Sequence, residues 1–136
     1  MRENGLDANL KFGRTLQIPS KKLIVISGEN GDESASSDDH SPSRKVFVYH
    51  LTTGMVEQKQ DIHVGRTSFA AQYDYGDRYI YVIGGNGKDG LTLKHTEKFD
   101  IYNERWIKLP DLNVARANPG TFLSKDKRYL YVFQGF

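Results

Sequence analysis

Gly85-Asn86-Gly87-Lys88-Asp89-Gly90 spells G-x-G-x-x-G and follows the apolar run Tyr79-Ile80-Tyr81-Val82-Ile83. In that setting a Gly-rich turn can offer its backbone amides to a pyrophosphate, provided that a helix follows and points its N-terminus at the phosphate. Residues 91–104 read LTLKHTEKFDIYNE, and the i+3 and i+4 partners of Leu91 are Lys94 and His95. No apolar helical stripe forms there. The glycines read as a turn, with Asn86-Gly87 and Asp89-Gly90 each supplying a residue that tolerates positive φ, and no cofactor is expected.

Other chemistry is as thinly provided. His40, His50, His63 and His95 never stand two or four residues apart, and the chain has no cysteine, so no metal site is expected. There is no G-x-S-x-G elbow, and no catalytic residue is assigned. Residues 29–44, ENGDESASSDDHSPSR, carry five acids against one Arg and no strongly apolar residue. They read as a mobile loop in which Ser36, three residues before Asp39, and Ser41, before Pro42, are possible phosphoacceptors.

The elements around these residues repeat. Lys22-Leu23-Ile24-Val25-Ile26-Ser27-Gly28 is echoed by Arg78-Tyr79-Ile80-Tyr81-Val82-Ile83-Gly84-Gly85 and again by Arg128-Tyr129-Leu130-Tyr131-Val132-Phe133-Gln134-Gly135. Gly85 follows Arg66 by 19 residues, as Gly135 follows Arg116; Tyr49 precedes Arg66 by 17, as Phe99 precedes Arg116. Arg14, Arg66 and Arg116 fall 52 and 50 residues apart and read as recurring in register. Within the second period, four short segments rich in aromatic and β-branched residues lie near 66–73, 78–84, 95–101 and 105–109, separated by turn residues. Four strands in about 50 residues are the signature of a propeller blade.

The second repeat, with Gly84-Gly85, Phe99-Asp100 and Trp106, resembles the kelch repeats. The first carries Ser27-Gly28, Tyr49-His50 and Val56 at the same places, and the third carries Gln134-Gly135. The resemblance spans about residues 14–136. It implies an all-β fold of four-stranded antiparallel propeller blades in an incomplete ring: a lead-in at 1–13, blades at 14–65 and 66–115, and a half-blade at 116–136. It also implies structural roles for Gly28, Gly84, Gly85, Gly135, Tyr49, Phe99, Asp100 and Trp106, Asp100 by capping a turn.

The expected function is a non-catalytic protein-interaction scaffold within a larger protein or assembly; the alternative is a propeller enzyme or carbohydrate-binding module with its pocket in the central channel. Arg14, Arg66 and Arg116 carry two readings. Each binds backbone carbonyls or a nearby carboxylate, or together they grip an acidic partner segment, with Asn30, Asn86 and Lys88 as further partner contacts. The partners expected are proteins, and the remaining blades would come from the same longer chain or another subunit. A net charge of +2 on 136 residues is too mild to argue for nucleic acid. No apolar run reaches the ~18 residues needed to span a bilayer. Without a signal-peptide core or cysteines, an intracellular home is expected, cytoplasmic or cytoskeleton-associated.

Overall fold

A computed structural model describes residues 13–29, 41–74, 76 and 78–135, so the expectations on Asn30 and Ser36 lie outside the described residues. Among the described residues ten strands form three antiparallel sheets. The first is β1 (Arg14–Ile18), β2 (Lys22–Gly28), β3 (Ser43–His50) and β4 (Val56–Gln58), paired in chain order. The second, β5 (Ala70–Tyr73), β6 (Tyr79–Ile83), β7 (Thr96–Asp100) and β8 (Arg105–Leu109), repeats that order. The third pairs β9 (Gly120–Leu123) with β10 (Leu130–Phe133). Among the described residues the only helical segment is a 3-10 turn at Lys88–Gly90, so no helix follows the Gly-rich turn.

Alternation along the strands builds the core between sheets rather than within one. Ile24 and Ile26 pair with Val48 and Val46, which puts four β-branched side chains on one face of the first sheet. They pack with Tyr73, Ile80, Val82, Phe99 and Trp106 of the second sheet. Trp106 ties the sheets together: its backbone N–H donates to Gln60 Oε1 at 2.7 Å and its indole Nε1 donates to Gln60 O at 2.9 Å. The opposite face of the second sheet meets the third, where Thr121 Oγ1 donates to Gln72 Oε1 at 3.1 Å. The sheets are blades, and β1, β5 and β9 are neighbours along their inner edge.

The repeated Gly position is where successive blades touch. Ser27, Gly84 and Gln134 have φ of 54°, 64° and 59°, whereas Gly28, Gly85 and Gly135 have φ of 112°, 99° and 101°. The first place is left-handed helical, which a side chain tolerates at modest cost; the second is open only to glycine. That is why the first varies among the three repeats and the second does not. Gly28 N–H then donates to Arg66 O, and Gly85 N–H to Arg116 O, stitching each blade to the entry of the next.

Candidate functional site

Arg66 lies on the connection from β4 to β5 and has no exposed surface. Its Nε donates to Val64 O at 3.1 Å, and Nη1 donates to Gly84 O at 3.0 Å and His95 O at 2.8 Å. Nη2 reaches Glu97 Oε2 at 2.7 Å, and Glu97 is also fully buried. Burial draws the guanidinium down to about 10 against the pull of Glu97, so Arg66 stays charged at neutral pH. Every hydrogen bond that Arg66 makes is directed inward to backbone carbonyls and a carboxylate, the first of its two readings, and not toward a partner. It locks the blade's entry to the β6–β7 corner. Arg116 copies the contact in the third repeat, with Nη1 on Gln134 O at 2.6 Å.

Arg14 does not belong to this series. It pairs with Ile26, as Ala70 pairs with Ile83 and Gly120 with Phe133, so its counterparts are Ala70 and Gly120. Gly28 follows Arg14 by 14 residues, not 19, and that difference was the legible warning. Arg14 is exposed and lies 5.9 Å from the Phe69 ring centroid.

The amides of the Gly-rich turn are largely committed. Gly84 N–H donates to His95 O, Asn86 to Thr67 O, Gly87 to Leu91 O and Gly90 to Gly87 O, which leaves little of a phosphate cradle. Asp89 and Gly90 take φ of 56° and 75°, but Asn86 and Gly87 depart from the turn expected of them. Asn86 bridges Thr67 and Thr92 in ladder fashion, and Thr92 Oγ1 donates to its Oδ1 at 3.3 Å. Gly87 has φ of −95°.

Asp100 closes the β7–β8 turn. Its Oδ1 accepts the N–H of Tyr102 at 3.0 Å and of Asn103 at 3.2 Å, and Asn103 Nδ2 donates to Oδ2 at 2.9 Å. The Arg78 guanidinium, followed by these donors, holds the carboxyl down at about 2. Phe99 stacks on Trp106 with centroids 5.0 Å apart, and the equivalent pair is Tyr49 with Val56.

Three connections meet at the blade end that carries the Gly corners. An open depression of about 230 Å³ is lined there by Ser41, Pro42, Arg44, His63 and Lys88. Arg44, His63 and Lys88 are exposed, and among the described residues no carboxylate lines the depression. Beneath it lies a cluster that spacing among histidines did not bring out. His63 N–H donates to Glu97 Oε1 at 3.0 Å, His63 Nδ1 is 3.4 Å from Oε1, and His95 Nε2 is 3.2 Å from Oε2. Burial, then the Arg66 charge, lowers the pKa of His95 and favours its neutral form. The sequence signal available for it was His95-Thr96-Glu97, two polar groups two apart entering a strand.

Comparison with known proteins adds to this geometry. The kelch motif family matches residues 75–113. The chain is similar to a RING finger domain and kelch repeat-containing protein of Dictyostelium discoideum, 33% identical over 67% of this chain and 9% of that protein. It is also similar to an F-box/kelch-repeat protein of Arabidopsis thaliana, 31% identical over 92% of this chain and 31% of that protein. The chain thus spans less than a third of either of these relatives.

Proposed function

The chain belongs to the kelch-repeat family, and on that premise we propose that it is a non-catalytic protein-interaction scaffold. The docking face is the blade end where the β2–β3, β4–β5 and β6–β7 connections converge. The depression between Arg44, His63 and Lys88 carries this reading. Arg44 at the start of β3 and Lys88 on the β6–β7 connection, with no carboxylate among the described residues that line the depression, suit an acidic segment of a partner protein. Ser41 lines the same depression, so a phosphate there, at about −1.5 to −2, would cancel the positive charge of Arg44 and Lys88. The relatives' names pair kelch repeats with a RING finger domain or an F-box, which supports a recognition module working within a longer protein or assembly. No helix among the described residues is long and apolar enough to cross a membrane.

A photo-crosslinking residue placed at position 88, and in a second variant at position 107 on the exposed outer strand β8, tests the face. Crosslinks to one protein from position 88 that are lost with Arg44→Glu support it. Crosslinks from position 107 alone would move the interface to the blade rim.

A further inference from the structure

His63 lies on the β4–β5 connection, and His95, just before β7, and Glu97, within it, follow 32 and 34 residues later, yet each offers a ligand atom within 4.8 Å of the other two. His95 Nε2 is buried and lies 3.2 Å from Glu97 Oε2 without hydrogen-bond geometry, so this nitrogen has no hydrogen bond. A neutral imidazole lone pair facing a carboxylate at that distance is two electron-rich atoms with nothing between them. A protonated Nε2 would instead be a donor left unused. A cation resolves the conflict. Tetrahedral Zn²⁺ with bonds of about 2.0–2.1 Å places its ligand atoms about 3.3–3.4 Å apart. The 3.2 Å from His95 Nε2 to Glu97 Oε2 falls in that neighbourhood, and His63 Nδ1 stands 3.4 Å from Oε1, the other oxygen of the same carboxylate.

We infer that His63, His95 and Glu97 form a binding site for a divalent transition metal of the Zn²⁺ class, with two imidazoles and one carboxylate as ligands. Arg66 and the His63 N–H hold the carboxylate, as outer-shell donors commonly do in such sites. The Arg66 charge opposes a second cation, and the fourth position must offset it. His63 is 42% exposed, so that position opens toward solvent, where water or an anionic group can enter. A bound ion would clamp the β4–β5 connection to β7 beside the depression. The site stands on its own geometry and does not depend on the docking role.

Zn²⁺ alone, titrated into the metal-free full chain against a chromophoric chelator, tests the site. One equivalent is expected to bind, weakened roughly tenfold or more by His63→Ala and by His95→Gln. His50→Ala, which alters the pair His50 makes with Glu57 at the opposite blade end, leaves the affinity unchanged. Because His95→Gln also touches the Arg66 network, the exposed His63 decides. Co²⁺ in place of Zn²⁺ should give the intense visible bands of a low-coordinate site. Failure to bind one equivalent, or binding that survives His63→Ala, overturns the assignment.

Discussion

Arg66 shows what one side chain does when a fold repeats around it. Its guanidinium serves three backbone carbonyls and one buried carboxylate, drawn from three local segments. Arg66→Ala takes the guanidinium partner from the buried Glu97, and removing one partner of a buried pair costs about 3–5 kcal/mol. Arg66→Lys should recover little of it, because an ammonium cannot reproduce the planar fork. Urea denaturation measures both, and a loss within error of zero would mean that the network is not holding the corner. Asp100 gives a second test through pH. Its folded value of about 2 lies below its ordinary 3.8, so its contribution is complete above pH ~4 and disappears as pH falls toward 2. Asp100→Asn should flatten that acid limb of the stability curve while leaving the neutral-to-basic side parallel to the parent protein.

The corner between the second and third strands of a blade is the element that the repeats made most legible. A glycine 19 residues after Arg66 and again after Arg116 marked it, and the invariant member of each pair is the one with φ near 100°. At Gly85 an added Cβ would lie 2.5 Å from Thr67 O, and at Gly84 2.3 Å from Arg116 O; both are backbone atoms of the neighbouring segment. Only Gly85 also has a φ closed to other residues. Gly85→Ala should therefore cost more than Gly84→Ala, with strain at such a backbone position worth about 1–3 kcal/mol, while Lys88→Ala is neutral. Equal melting temperatures for the two glycine variants would refute that ranking. What spacing could not supply was three-dimensional register. The interval from Arg14 to Arg66 matched the repeat length, yet strand pairing sets Arg14 against Ile26 and gives it a different counterpart. Likewise Asn86-Gly87 has turn composition, but Thr67 and Thr92 on either side recruit Asn86 into a ladder. The grouping of His63 with His95 and Glu97 arises only when a connection crosses a strand start, which no local pattern encodes.

At the scale of the whole molecule, each blade hides one face behind the next. Ile83 in β6 is 0% exposed, whereas Phe133, its counterpart in β10, is 47% exposed. Tyr131 pairs across the ladder with Phe122, their ring centroids 6.3 Å apart, and Tyr129 stands 6.3 Å from Tyr131 on the same face. These four aromatics form an exposed apolar patch of the kind that soluble surfaces rarely leave uncovered. Among the described residues β10 also has only β9 as a ladder partner, so its outer backbone groups are open to a further strand. The patch and the open edge lie at one side of the molecule, and further blades or a second protein would cover both. Expressed alone, residues 1–136 should self-associate as concentration rises, because another copy can bury the same patch. Phe122→Lys with Tyr131→Lys should reduce that association in sedimentation velocity without loosening the second blade, whose core lies on the far side of Thr121 and Gln72. A parent protein that stays monomeric and melts cooperatively at high concentration would show that the aromatic face needs no cover.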